Sequence, residues 1–329
     1  MLASYFKFQE NRTNLRIETG AGITTFMTMA YIIFVQPAVL SGQMFGMDTG
    51  MDFGAVMMAT CLAGALATFI MGIYANYPIA QAPGMGENFF FVFSVIPAAA
   101  TLIATREWQG APQPGRSPSG VVFIAGVIFL ILSLLKVRQY LIDAISPSLK
   151  NGIAVGIGLF ISFIGLKNAG IIVGSSGTLV TMTGSIAHAN VLVFGIGFIV
   201  MIIFQVRKIR GAILWGIAAG LIVALILKKT TFTGFVSSPP ALTPTFFKMD
   251  VLHALAFKLW PLIIIFLFMD IFDTIGTLIG VGEQAGFIKD NKLPRAGKAL
   301  ISDAVGTVTG AVMGTSTVTS FIESTAGIS

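Results

Sequence analysis

Charged residues are scarce in this chain, and this scarcity determines the surroundings it can tolerate. Only 10% of its 329 residues are Asp, Glu, Lys or Arg, whereas a soluble domain carries about 25%. Hydrophobic residues make up 55%, and the mean hydropathy over the whole length is +0.88. A water-facing surface would need far more charge. A soluble globular domain is therefore excluded, and lipid is the expected environment.

Cysteine, histidine and phosphate-binding loops are also nearly absent, which excludes several chemistries. The single Cys61 rules out a disulfide framework, and packing as a small hydrophobe is the commoner role of such a residue. His188 and His253 lack metal-ligand spacing. Gly84 and Gly86 lack the strand–helix context of a dinucleotide site, and no Gly-Lys-Ser or Gly-Lys-Thr loop occurs. We expect no metal and no organic cofactor.

Long apolar runs dominate what is present. A helix that crosses a bilayer needs roughly 20 mostly apolar residues. Nine or ten such segments occur, at about 21–41, 54–75, 79–103, 119–137, 148–167, 187–206, 210–228, 256–282, 297–313 and from 315 onward. The predicted fold class is an all-α polytopic membrane protein, with residues 1–329 in one membrane domain. Gly152-x-x-x-Gly156 and Gly276-x-x-x-Gly280 predict close helix contacts.

The distribution of basic residues predicts the orientation of these segments. With a cytoplasmic N-terminus, thirteen of the 20 Lys and Arg residues fall on the inner side: Lys7, Arg12, Arg16, Lys136, Arg138, Lys150, Arg207, Lys208, Arg210, Lys289, Lys292, Arg295 and Lys298. The rest fall outside: Arg106, Arg116, Lys167, Lys228, Lys229, Lys248 and Lys258. This bias predicts a multi-pass protein with its N-terminus in the cytoplasm, and we expect its location to be the bacterial inner membrane. Because the charges are spread over short loops, we expect membrane lipid and not nucleic acid as a partner.

Residues 81–91 cannot form an ordinary spanning helix. Pro83 removes a backbone donor, and Gly84 and Gly86 weaken a helix at the same place. The apolar run after Asn88 is typical of a half-helix, and Phe89 beside it could stack on a planar ring. A Pro-Gly loop at the membrane surface, and core or lipid packing of Phe89, are the alternatives.

The second interrupted stretch covers residues 314–324. Its Thr/Val run favours an extended backbone, and Ser320 is a good helix N-cap. Ser320 and Glu323 also fit a capping box, so the carboxylate has either a structural or a functional role. Irregular backbone at membrane depth is tolerated only where it is buried in protein or lines a cavity. A pair of such interruptions therefore predicts a transporter site.

Acidic residues inside apolar segments are the strongest candidates for function. Asp270, Asp273 and Thr277 are spaced i, i+3 and i+7, which predicts that they share one helix face. A carboxylate near the bilayer centre costs about 2.5–3.5 kcal/mol or more, so each needs a partner or a function. Of two neighbouring buried acids, one is expected to hold a proton. A structural role is the alternative for each, and for Asp303 in the next segment.

Three motifs together resemble one known family. They are Gln81-Ala82-Pro83-Gly84-Met85-Gly86-x-Asn88, Phe272-Asp273-Thr274-x-Gly276-Thr277 and Gly314-Thr315-Ser316-Thr317-Val318-Thr319-x-x-Ile322-Glu323-Ser324. In this order they resemble the AzgA-like purine nucleobase permeases of the nucleobase–ascorbate transporter superfamily. The resemblance implies an inverted-repeat fold of seven plus seven segments, with a short strand and a half-helix in each of segments 3 and 10. The substrate is expected between those two segments.

The resemblance also assigns roles to individual residues. Asp273 and Glu323 correspond to acids that contact the base, and Asn88 to a polar contact from segment 3. Thr277 and Asp303 correspond to supporting polar positions. Glu87 departs from the pattern, because members of the family more often carry an apolar residue there. It is expected either to cap the half-helix or to alter the local electrostatics.

The resemblance further implies a division of the chain. Segments 1–4 and 8–10 belong to a core domain and segments 5–7 to a gate domain, and a homodimer is one expected assembly. The sequence stops after segment 10, so segments 11–14 are expected to be absent and the second repeat incomplete.

The expected function is import of a purine nucleobase by proton symport, with the proton as the coupling ion. The carboxyl oxygens can accept hydrogen bonds from purine N–H groups, and Asp270, Asp273, Asp303 and Glu323 are the proton-coupling candidates. Adenine, guanine and hypoxanthine all remain open as substrates. An anion transporter of the same fold, of the SulP type, is the alternative. A membrane hydrolase that uses Asp270 and Asp273 is a weaker one.

Overall fold

The computed structural model describes residues 2–6, 8–9, 13–104, 116–135, 146–185, 187–209, 211–231, 234, 237–288 and 293–328. Most of them are helical. The helices are α1 (Leu2–Tyr5), α2 (Leu15–Met29), α3 (Ile32–Leu40), α4 (Phe53–Ile70), α5 (Met85–Phe90), α6 (Ile96–Ala104), α7 (Arg116–Leu134), α8 (Pro147–Asn168), α9 (Ala189–Val206), α10 (Ala212–Ile226), α11 (Val251–Ala254), α12 (Trp260–Gln284), α13 (Ala296–Met313) and α14 (Thr325–Ile328). The strands are β1 (Gln81–Pro83), β2 (Ile172–Ser175), β3 (Leu179–Met182) and β4 (Val318–Ser320).

Five helical stretches of the described residues are long and apolar enough to cross a membrane. They are Leu15–Leu40, Phe53–Ala75, Met85–Leu102, Ala189–Val206 and Trp260–Gln284. Shorter apolar helices cover Pro118–Leu134, Gly158–Asn168 and Ala212–Ile226. These stretches coincide with the first eight predicted segments, and they are those expected of a multi-pass membrane protein.

The two interruptions predicted from sequence are paired strands. β1 and β4 run antiparallel, with Gln81 opposite Ser320 and Pro83 opposite Val318. Further backbone bonds extend the pairing at both ends, from Phe321 N to Ala80 O (2.9 Å) and from Gly84 N to Thr317 O (3.2 Å). Because β1 is buried throughout, the alternative of a surface loop at this position is wrong.

Small residues on α4 allow these strands to lie deep in the protein. Ala59, Ala63 and Ala67 are fully buried along one side of the helix. A Cβ at Gly64 would stand 3.1 Å from the Gln81 carbonyl oxygen. From α13, a Cβ at Gly306 would stand 2.9 Å from Ala67 Cβ. α4 therefore supports β1 on one side and α13 on the other.

Close helix contacts form at glycines other than those predicted. In α9 and α10, a Cβ at Gly197 would lie 2.9 Å from the Gly216 carbonyl oxygen, so the two backbones almost touch. Among the described residues, no atom lies within 4 Å of a Cβ built at Gly152 or Gly156, so that contact stays a prediction. Of the second predicted pair, a Cβ at Gly280 would lie 3.3 Å from Ile322, and among the described residues no atom lies within 4 Å of one at Gly276.

A short hairpin lies between two of the predicted membrane segments. β2 and β3 form an exposed antiparallel hairpin between α8 and α9 that was not predicted.

Eight of the basic residues used for the orientation lie outside the described residues: Lys7, Arg12, Arg106, Lys136, Arg138, Arg210, Lys289 and Lys292. The cytoplasmic N-terminus therefore stays a prediction.

Candidate functional site

Asp303 on α13 is the central acceptor of the region where β1 and β4 pair. It is completely buried. Its Oδ1 accepts hydrogen bonds from Gln81 Nε2 (2.9 Å) and Ser320 Oγ (3.2 Å). Its Oδ2 accepts one from Thr274 Oγ1 (2.5 Å). One carboxylate thus joins β1, β4 and α12, and we call these elements together with α13 the strand crossing.

The acids of α12 occupy two different positions relative to the strand crossing. Asp270 is 1% exposed, and Thr307 Oγ1 of α13 lies 3.3 Å from its Oδ2. The same hydroxyl lies 3.1 Å from the Val318 carbonyl oxygen of β4. Asp273 and Thr277 are only half-buried. The predicted common face therefore separates into a buried position, Asp270, and a more accessible edge formed by Asp273 and Thr277.

Asn88 belongs to a second buried polar cluster. Gln36 Nε2 lies 3.1 Å from Asn88 Oδ1, 3.0 Å from Thr315 Oγ1 and 2.9 Å from Ser316 Oγ. The Asn88 amide donates back to Gln36, and the Ser316 hydroxyl donates to Asn88. Asn88 thereby joins α5 to α3 and to the chain before β4. Sequence reasoning missed Gln36, although an amide before Pro37 in an apolar run was a usable signal.

Glu323 follows β4 in the chain and contacts the end of α2 and the junction between α2 and α3. Tyr31 Oη donates to Glu323 Oε1 at 2.6 Å, and Thr28 Oγ1 lies 3.3 Å from the Glu323 carbonyl oxygen. Both Glu323 and Tyr31 are half-buried. Ser320 is not a helix N-cap, because it lies in β4 and its hydroxyl donates to Asp303. The capping-box alternative for Glu323 is therefore wrong, and the role of Tyr31 was missed.

Phe89 packs in the apolar core. It is 2% exposed, and its ring lies edge-on to those of Phe45 and Phe160, at centroid distances of 5.9 and 5.5 Å. Phe160 belongs to α8, so this contact joins a predicted core helix to a predicted gate helix. This arrangement matches the alternative that Phe89 packs in the core, and it does not support stacking of the ring on a ligand.

Carboxyl groups converge around the strand crossing. Glu87 interacts electrostatically with Asp270 and Asp303, and Asp273 interacts with Glu87, Asp303 and Glu323. Within the described parts of the chain, no three acidic, His or Cys side chains are arranged to hold a metal ion. Asp273 and Glu323 are half-buried, so their carboxyl groups are more accessible than those of Glu87, Asp270 and Asp303. The region is thus rich in hydrogen-bond acceptors.

A solved structure shares this fold. The transmembrane domain of the cyanobacterial bicarbonate transporter BicA matches 96% of this chain and 77% of its own, with a TM-score of 0.64 and 15% sequence identity. At this identity the likeness concerns the fold alone. It supports a mostly helical transporter fold with few strands.

Sequence comparison is more specific. The model of the Permease family (Xan_ur_permease) matches residues 16–329. The protein MJ0326 of Methanocaldococcus jannaschii is 49% identical over 326 residues, which are 98% of this chain and 70% of that protein. The guanine/hypoxanthine permease PbuG of Bacillus subtilis is 44% identical over 99% of this chain and 73% of that protein. The adenine permease AdeP of Escherichia coli is 38% identical over 100% of this chain and 70% of that protein. The chain therefore belongs to the Permease family, and the resemblance to its AzgA-like branch that the three motifs predicted is confirmed.

Proposed function

We propose that this chain is a secondary-active transporter that imports a purine nucleobase together with protons. The observation that carries the proposal is the pair of half-buried carboxyl groups, Asp273 and Glu323, beside the strand crossing. Support comes from the relatives PbuG and AdeP, which are named as guanine/hypoxanthine and adenine permeases.

Acceptor chemistry fits this class of substrate. A purine base presents ring and exocyclic N–H groups, and a carboxylate offers two oxygens that accept hydrogen bonds. In this proposal Asp273 contacts the base from α12, and Glu323 contacts it from the side of β4. Thr277, one helical turn after Asp273, is the neighbouring polar contact.

The remaining predicted residues support these contacts. We propose that Asn88 holds the α5 half-helix through its bonds to Gln36 and Ser316, and that it contacts the base only if that cluster opens. Asp270 and Asp303 anchor α12 and α13 at the strand crossing. Phe89 contributes by packing α5 against α8.

In this proposal, transport is coupled to protons because a proton and the N–H groups of the base compete for the same carboxyl oxygens of Asp273 and Glu323. A proton on Asp273 or Glu323 converts an acceptor into a donor, so protonation reorganises the bonds offered to the base. We propose that α8, α9 and α10 belong to a gate that rocks against the remaining core helices. Such rocking about a fixed site is how inverted-repeat transporters alternate access.

An anion substrate fits the site less well. The likeness to a bicarbonate transporter concerns the fold alone, at 15% identity. Carboxylates beside the binding face repel an anion, whereas they attract N–H donors. Sulfate or bicarbonate should therefore fail to compete with purine uptake.

The test is uptake of radiolabelled adenine, guanine and hypoxanthine by the full-length protein in proteoliposomes. Asp273→Asn and Glu323→Gln keep the side-chain shape but remove one acceptor oxygen and the titrating group. A hydrogen bond to a charged group contributes about 1.5–3 kcal/mol, so each variant should lower kcat/KM by about tenfold or more. The matched control is Glu283→Gln, an exposed acid at the end of α12.

Two results would contradict the proposal. If Asp273→Asn and Glu323→Gln both kept wild-type affinity and rate, the site would be assigned to the wrong residues. If wild-type uptake were independent of pH and of a protonophore, the proton would not be the coupling ion.

A further inference from the structure

Glu87 is a carboxyl group for which the proposed binding site has no use. It lies in the first turn of α5 and is 1% exposed. Among the described residues, no group forms a hydrogen bond with its Oε2 atom. An ordinary buried carboxylate is bonded or paired with a cation. The carboxyl group is bonded by the backbone of its own residue, but within the described part of the chain its Oε2 atom has neither a partner nor a cation, so Glu87 needs another explanation.

Glu87 does not complete a capping box at the start of α5. In a capping box, the acid three residues into the helix accepts from the backbone N–H of the N-cap residue. The N-cap here is Gly84, whose N–H already donates to the Thr317 carbonyl oxygen at 3.2 Å. A Cβ at Gly84 would overlap Glu87 Oε2 and would lie 2.9 Å from Thr319 Cγ2. The carboxyl group is thus held over Gly84, against β4.

The groups that face Glu87 are acidic or neutral. α12 contributes Asp270, and α13 contributes Asp303. Asp273, also on α12, interacts with Glu87 as well. On α3, the Gln36 amide is bonded to Asn88, the residue after Glu87. From α8, the apolar ring of Phe160 packs on Phe89 of α5. No described Lys, Arg or His forms an ion pair with Glu87.

These surroundings favour a neutral side chain. A carboxylate buried without a cation costs several kcal/mol, and repulsion from Asp270 and Asp303 adds to this cost. A proton on Glu87 removes both penalties, because the neutral group carries neither a charge to desolvate nor a charge that Asp270 and Asp303 repel. The neutral form should last only while the strand crossing excludes water.

We propose that Glu87 is an additional proton-binding residue of the transport cycle. It holds one proton while the strand crossing is closed, and it releases that proton when movement of α5 against α12 and α13 admits water. The next proton binds when the crossing is open to the other side, which restores the neutral group. This inference rests on the proposed proton-coupled transport and adds one proton to it.

The test is the steady-state accumulation of the transported base by the full-length protein in proteoliposomes. The pH difference is set to one unit, and potassium with valinomycin holds the membrane potential at zero. Each coupled proton then multiplies the accumulation ratio by about tenfold. Glu87→Gln should lower this ratio about tenfold, and it should lower the proton-to-base ratio measured with an internal pH dye by one. Glu283→Gln should change neither.

Every outcome bears on the inference. If Glu87→Gln keeps the wild-type accumulation and proton ratio, Glu87 does not carry a transported proton. Gln has the shape of a protonated Glu, so a Glu87→Gln protein that fails to fold, while Glu87→Asp folds, would show that the native group is charged. That result would also overturn the inference. If the wild type itself ignores the pH gradient, the proposed function fails first, and the two failures are thereby distinguished.

Discussion

Replacing Asp303 by alanine should disrupt the strand crossing more than any other single change there. The substitution removes an acceptor that receives hydrogen bonds from Gln81, Ser320 and Thr274. All three donors are buried. They belong to β1, β4 and α12, so the loss affects every element around the site.

The expected loss of stability depends on the hydrogen-bond donors that Asp303→Ala leaves without an acceptor. Hydrogen bonds to a charged group contribute about 1.5–3 kcal/mol each, but a simple sum would overestimate the loss. Thr274 Oγ1 can rotate toward Thr319 Oγ1, which lies 3.0 Å away. The Gln81 amide is left only with Ser320 Oγ, which lies 3.5 Å away, at the long limit of a hydrogen bond. We expect Asp303→Ala to destabilise the folded state by about 3–5 kcal/mol, and Asp303→Asn by about half as much.

The assay is thermal unfolding of the full-length protein in nanodiscs. We expect the apparent Tm to fall by roughly 6–20 °C for Asp303→Ala, since each kcal/mol shifts the Tm of a mid-sized protein by about 2–4 °C. The matched control is Ser302→Ala, the neighbouring buried residue, whose hydroxyl donates only to Lys298 O within its own helix. If the Tm of Asp303→Ala stayed within about 2 °C of that control, the anchoring role of Asp303 would be refuted.

Three further substitutions test other contacts. Tyr31→Phe removes the 2.6 Å hydrogen bond that orients Glu323, so binding of the labelled base should weaken by about tenfold. Gly84→Ala places a Cβ against Glu87 Oε2, so folded yield in detergent should fall, and adding Glu87→Ala should restore part of it. Gln36→Leu leaves the buried Asn88 cluster without its central amide, which should cost about 2–3 kcal/mol in unfolding experiments.

Each of these expectations has a result that would count against it. Unchanged affinity in Tyr31→Phe would mean that Glu323 is oriented by other groups. A Gly84→Ala, Glu87→Ala double variant no better than the single one would show that the strain lies with Thr319 instead. Wild-type stability of Gln36→Leu would imply that water replaces the amide.

Local sequence signals predicted the elements that surround the site. Pro83 and the Thr/Val run around residue 318 each interrupt an apolar segment, and a strand forms at each place. These signals are local, because backbone donors and β-branched side chains restrict the chain wherever they occur. The acidic residues were also identified from sequence. An ionisable side chain in an apolar helix costs free energy, so its presence indicates a partner or a function.

Partners across elements could not be predicted in the same way. Ser320 has the chemistry of an N-cap, but pairing of β4 with Gln81 places it in a strand and turns its hydroxyl toward Asp303. Helical period placed Asp270 and Asp273 on one face, yet it could not say which of them faces α13. The bond from Tyr31 to Glu323 joins residues far apart in the chain. Such contacts depend on how helices pack, which periodicity within one segment does not specify.

The most direct test of the central claim is an experimental structure of the full-length protein with its purine base bound in a lipid nanodisc. The account predicts density for the base beside the strand crossing, with carboxyl oxygens of Asp273 and Glu323 within hydrogen-bond distance of its N–H groups. A base bound elsewhere, with those oxygens still occupied by protein partners, would contradict it.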